Sequence, residues 1–152
     1  MATRQKRVKA ATVKGPKTQA TAASVPAFLA KVASGPRLAD AKALVAMMEK
    51  ATGMQAVMWG DAIVGCDTYM IRYADGRESS WPLVAFSPRQ SAFVLYIDWK
   101  NHVDLLKRIG KHETAGGCLH LKSLSGVDQV ALQQLVTAAA KSRKAASTNS
   151  AA

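Results

Sequence analysis

The chain has 152 residues and a formal net charge of +11, enough for one domain around one hydrophobic core and too few for a second folding unit. No stretch approaches the roughly 20 apolar residues that cross a bilayer as a helix, so a membrane-spanning role is excluded at this level. Two cysteines, Cys66 and Cys118, cannot staple a disulfide scaffold, and with no secretory leader they predict free thiols in a reducing, cytoplasmic setting.

The charge is concentrated at the ends. Residues 1 to 24 carry Arg4, Lys6, Arg7, Lys9, Lys14 and Lys17 with no acid, and they hold too few large apolar side chains to offset the entropy of ordering them. They read as a basic disordered tail. The segment is Lys-rich, without an amphipathic stripe or an apolar core, so it does not read as a transit or secretory leader. Residues 141 to 152 add Lys141, Arg143 and Lys144, again with no acid, and read as a second tail. The intervening domain, residues 25 to 140, is left with twelve cations against ten acids. No basic face on the domain follows, and any attraction to nucleic acid is expected to be weak, non-specific and carried by the tails, fading with salt.

Apolar residues first cluster at Val25–Val32, a short helix. Gly35-Pro36 then punctuates the chain. Leu38, Ala41, Leu44, Val45 and Met48 follow one helical face between Arg37 and Thr52, with Pro36 suited to the start and Gly53 to the stop. After Gly53 the pattern changes to short β-type runs at 56–59, 63–65, 68–73, 80–86 and 92–97. The Asp75-Gly76 pair predicts a tight hairpin between the third and fourth, and Ser87-Pro88-Arg89-Gln90 a turn between the fourth and fifth. Pro82 inside a strand predicts an edge or a bulge. Helical spacing returns at Trp99–Ile109, a short strand follows at Cys118–Lys122, and a last helix at Val127–Ala140. Sequential hairpins with helices against one face define an α+β domain on an antiparallel sheet of five to six strands.

Between the third helix and the last strand lies Gly110-Lys-His-Glu-Thr-Ala-Gly-Gly-Cys-Leu-His-Leu-Lys122, which concentrates glycines, cations, a hydroxyl and a thiol. Its glycines permit close approach of a ligand to the main chain. Trp59, Trp81 and Tyr96 can supply flat walls, and Arg77 and Arg89 can grip a carboxylate or phosphate in bidentate fashion. Lys111 and Thr114, with the amides of Gly116 and Gly117, can cradle an anion, and His112 and Cys118 complete the candidate set. The competing reading has the tryptophans in the core, the arginines stacked on them and the glycines turning the chain.

The words Met58-Trp-Gly-Asp61, Tyr73-Ala-Asp-Gly-Arg77, Trp81, Phe86-Ser-Pro-Arg89, Leu95-Tyr96, Gly110-Lys-His112, Cys118-Leu119, Lys122 and Val127-Asp128, in this order, resemble the YdhG-like family, long described as a domain of unknown function. The resemblance covers about residues 25 to 140. It implies a compact cytosolic bacterial α+β domain of largely uncharacterised activity, some of whose relatives are described as frataxin-like intracellular iron chaperones. Against the family pattern, Gln90 stands where a lysine is common, Ala115-Gly116-Gly117 replaces a stretch that often carries one, and His120 stands at a commonly apolar position.

Iron handling needs clustered oxygen ligands. The main helix offers only Asp40 and Glu49, nine residues apart, so iron remains an implication of the resemblance alone and no metal site or cofactor is expected from the residues. Cys118 and His120 share a strand face, with His112 or Cys66 as conceivable further ligands, but the pattern lacks the paired spacing of a zinc site. For catalysis there is no Gly-x-Ser-x-Gly turn, and Lys111-His112-Glu113 are adjacent on one loop rather than convergent. The expectation is a cytoplasmic binding protein for a small molecule or anion, not an enzyme.

Overall fold

The computed structural model describes residues 20–151, with side chains as far as residue 146. Seven strands form one antiparallel sheet: β1 (Ala20–Thr21), β2 (Val57–Trp59), β3 (Ile63–Arg72), β4 (Glu78–Pro88), β5 (Phe93–Tyr96), β6 (Glu113–Ala115) and β7 (Cys118–Leu121). Their spatial order is β1-β2-β3-β4-β5-β7-β6. Four helices accompany them: α1 (Val25–Val32), α2 (Gly35–Thr52), α3 (Val103–Arg108) and α4 (Gln129–Ala151). The α+β class expected from the pattern is the one observed. The strand count differs because the runs at 63–65 and 68–73 are one continuous strand, while β1 and β6 are too short for periodicity to reveal.

The helices start and stop where local chemistry allows. The Ser24 hydroxyl accepts from Ala27 N–H at the head of α1. Pro36 lies in the first turn of α2, and Gly53 closes that helix with φ 73°, donating its N–H to Glu49. Asp128 Oδ1 accepts from Ala131 N–H and so heads α4. The expected helix over 99–109 shrinks to the six residues of α3, since Trp99 and His102 N–H make tight turns instead.

Helices α2 and α4 pack on each other and both touch β3 and β4; α3 lies against α4 and α1 against α2. Under them sits the core, where Val64 and Cys66 of β3 meet Phe86 and Val84 of β4, joined by Leu95, Leu119, Leu44, Met48, Leu132 and Leu135. Burying a side chain of this size stabilises the fold by about 1.5–3 kcal/mol, which is why the inward set is almost wholly aliphatic and aromatic.

Two expected boundaries are corrected. Ala20 and Thr21, placed by the sequence reading in a disordered tail, pair with Trp59 and Met58, satisfying backbone groups on the open edge of β2. Residues 1–19 lie outside the described residues. At the other end α4 continues past Ala140 to Ala151. Ser142 Oγ donates to Asp98 Oδ2 at 2.8 Å, Arg143 Nη1 to Leu83 O at 3.0 Å, and Lys144 Nζ lies 3.2 Å from both Asp67 carboxylate oxygens. Counting large apolar side chains misses this, because polar side chains make the attachments.

Pro82 does occupy an edge. Strand β5 pairs only with Ala85–Pro88 of β4, so residues 78–84 have β3 on one side and no strand on the other. Opposite this stretch Asp67 adopts φ 57°, a left-handed conformation that bends β3 between its pairings at Cys66 and Thr68.

Candidate functional site: two cavities served by one strand

Strand β7 alternates strictly. Leu119 and Leu121 are fully buried in the core, so Cys118 and His120 lie on the opposite face of the sheet. Each of these two residues lines a different cavity.

The first cavity is a polar basin. Gly110 has φ 94°, and a Cβ there would come within 2.7 Å of Gly126 O, so only glycine fits. The turn is clamped at this point: Lys111 N–H donates to Gly126 O and Asp128 N–H to Ile109 O. Lys111 and His112 are thereby set against the segment that follows β7. Between them lies a cavity of about 360 Å³, lined by Lys111, His112, His120 and Lys122, with hydroxyls from Ser91, Ser123 and Ser125. Glu113 is the one acid of the lining. Neither lysine is paired with a carboxylate among the described residues. His112 Nδ1 donates to Gly110 O at 2.7 Å, which fixes the tautomer when the ring is neutral and leaves Nε2 for another partner.

The second cavity, about 300 Å³, sits in the notch left where β5 ends and β4 runs on. Tyr69, Trp81 and Tyr96 give it aromatic walls, Ile63 and Pro82 aliphatic ones, and Gly117, Cys118 and Arg143 complete the lining. Arg143 reaches in from α4. Its Nη1 donates to Leu83 O, beyond the stretch of β4 that β5 pairs, and lies 3.5 Å from Tyr96 O. Its guanidinium carbon stands 4.9 Å from the Tyr69 ring centre, a cation–π arrangement that orients the group. Trp99 Nε1 donates to Gly117 O at 3.1 Å and holds the β6–β7 turn at the rim. Among the described residues the indole N–H of Trp81 is buried without an acceptor, as is that of Trp59.

The residues singled out in the sequence are therefore divided rather than assembled. Lys111 and His112 enter the basin; Trp81, Tyr96, Gly117 and Cys118 enter the aromatic notch. Trp59 is 3 % exposed and packs against Gly65, where a Cβ would fall 2.9 Å from its ring; it is buried and lines neither cavity. Arg77 is held by Asp75 in the hairpin turn and covers Tyr73, away from both cavities. Arg89 Nη2 lies 3.3 Å from Tyr96 Oη and lines a separate hollow with Arg37, whose guanidinium donates to Arg89 O. Thr114 pairs with core-facing Leu119 and so lies on the wrong face for the basin. Gly116 turns the chain at φ 59° and lines neither cavity. The expected cradle of Thr114 and the two glycine amides is not formed.

Sequence reading missed Lys122, His120 and the serines as members of the basin, and Tyr69 and Arg143 as members of the notch. His120 could have been placed by alternation alone. Arg143 could not, because nothing in an Ala- and Lys-rich segment says that one guanidinium turns into the sheet.

The acids are mostly engaged. Asp40 accepts from Leu124 N–H and Glu49 from Ala56 N–H, while Glu78 pairs with Arg72. Burial pushes the Asp98 carboxyl up, but hydrogen bonds from Asn101 and Ser142, with Arg143 and His102 nearby, outweigh it and hold the group below its usual range. Cys66 lies in the core, on the other face from Cys118 and His120, so the three do not converge. Its thiol is pushed up to about 12 by burial and, secondarily, by Glu49. Among the described residues no group of three or more His, Cys, Asp or Glu is placed to hold a metal ion, and no helix is long and apolar enough to cross a membrane. Comparison with family models, characterised proteins and solved structures finds no match for this chain.

Proposed function

We propose that this chain is a cytoplasmic YdhG-like domain protein that binds a small anionic ligand in the basin at Lys111 and Lys122. It acts by binding rather than by catalysis. One observation carries the reading: two unpaired lysines, two imidazoles and three serine hydroxyls line a single cavity whose lining holds one acid. An ammonium is a compact point charge with three donors, and hydroxyls around it donate to whatever oxygens the charge attracts. Phosphate-like and polycarboxylate ligands are the class this suits. The two cations expected of the family and missing here at Gln90 and 115–117 lie outside the lining, so their loss leaves the basin's own cations in place.

The test is a thermal-shift titration of the full chain with inorganic phosphate, pyrophosphate and citrate. A ligand at a hundredfold over its dissociation constant stabilises by about 2.7 kcal/mol. At least one of these anions is expected to raise Tm in a saturable way that weakens with added salt. Lys111→Ala combined with Lys122→Ala should abolish the rise, and Arg77→Ala, remote from the basin, should leave it intact. A flat response to all three anions, or an undiminished one in the double variant, refutes the assignment.

A further inference from the structure

The aromatic notch is not used by an anion in the basin, and its composition calls for a different ligand. We propose that it is a second binding site, for a small planar aromatic carboxylate lying against Trp81 and Tyr96 with its carboxylate on Arg143.

Four features point to this class. The cavity, about 300 Å³, is at the small end for ligand sites and admits one ring or a fused pair. Its walls combine three aromatic rings with Ile63 and Pro82, which favours a flat apolar body over a sugar or a flexible polar chain. Arg143 is pre-set rather than free: one nitrogen is anchored on Leu83 O and the plane lies against Tyr69. Its Nε and Nη2 donors have no protein acceptor among the described residues, and a planar fork of that kind matches a carboxylate. Lastly, the lining contains no acid; Asp98 stands near Arg143 but accepts from Asn101 and Ser142 instead.

Cys118 provides the assay, since it lines the notch while Cys66 is fully buried in the core and inert to a polar alkylating reagent. The rate of Cys118 alkylation by iodoacetamide is measured on the intact full chain by mass spectrometry, with indole-3-carboxylate, benzoate or neutral indole present. Indole-3-carboxylate is expected to protect Cys118 saturably, and indole to bind about tenfold more weakly for want of the charged contact. Arg143→Gln, which removes the charge, should erase the preference for the carboxylate. Trp81→Ala, which removes a wall, should weaken binding while leaving that preference in place. Inorganic phosphate should give no protection, and the Lys111→Ala, Lys122→Ala protein should be protected as well as the wild type; the site is thus judged independently of the basin. No protection by either carboxylate at millimolar concentration overturns the proposal. Equal protection by indole and its carboxylate overturns it as well, because Arg143 would then play no part.

Discussion

Replacing Cys66 by alanine tests how the core treats a buried thiol. Cys66 is 0 % exposed, and its pKa is pushed from 9.0 to about 12 by burial first, then by Glu49 and Asp67, with the Thr52 hydroxyl opposing. In the unfolded chain the thiol ionises near its ordinary value, while in the folded protein it keeps its proton. Below that value both states are protonated and the shift contributes nothing. Between the two values the unfolded state has released a proton that the folded state retains, so stability falls as pH rises. From pH 7 to pH 10 the loss attributable to this one group is roughly 1–2 kcal/mol. Cys66→Ala removes that slope, and it adds a pH-independent cost of about 1 kcal/mol for the lost sulfur contacts. Urea unfolding of both proteins under reducing conditions, at intervals from pH 7 to pH 10, should therefore show the wild type ahead at neutral pH and its lead shrinking or reversing by pH 10. All other side chains are common to both proteins and cancel in the difference. A lead that stays constant with pH would mean that Cys66 is not sealed from water, and it would also remove the basis for reading alkylation as a report on Cys118 alone.

Two further predictions concern the scaffold of the notch. Gly65→Ala places a methyl 2.6 Å from Pro82 Cβ and 2.9 Å from the Trp59 ring, so urea unfolding should show a loss of about 1–3 kcal/mol from overpacking, with a changed near-ultraviolet tryptophan signal; full tolerance would mean that β2 and β4 are free to separate there. Asp98→Asn should lower stability at pH 7. Because the folded carboxyl is held low, its contribution is present above the unfolded value near 3.9 and lost as pH falls through the lower folded one, so the variant's acid-unfolding curve should be shallower than the wild type's; parallel curves would show that Ser142 and Asn101 do not stabilise the ionised form.

What could be read from residues alone followed from period and punctuation. The α2 face repeats at helical spacing, the Asp75-Gly76 pair marks its hairpin, and Gly53 ends a helix for a reason contained in its own backbone; that Leu119 and Leu121 rather than Cys118 face the core is a matter of register that a four-residue strand does not announce. What could not be read depends on comparing elements distant in sequence. The notch exists because β4 has eleven residues and β5 four, a mismatch that strand signals blur at their ends. Its cation comes from a helix 60 residues beyond the carbonyl it caps. The candidate words are spread through one sheet, and alternation divides them: Thr114 goes to one face, Cys118 and His120 to the other.

That division bears on what the glycine-rich turn is for. Gly110 is required by a backbone clash and by φ, whereas a Cβ at Gly117 would meet nothing within 4 Å, so the two ends of the turn are constrained for different reasons. The Gly110 end fixes Lys111 against the Gly126 segment and so sets the basin. At the other end Gly117 offers its carbonyl to Trp99 and places Cys118 at the notch. Strand β7 joins them, with Cys118 and His120 two residues apart on one face, so a ligand that shifts this strand in one cavity alters the wall of the other. Any coupling between the two sites would have to be reciprocal, and β7 is an element that both share.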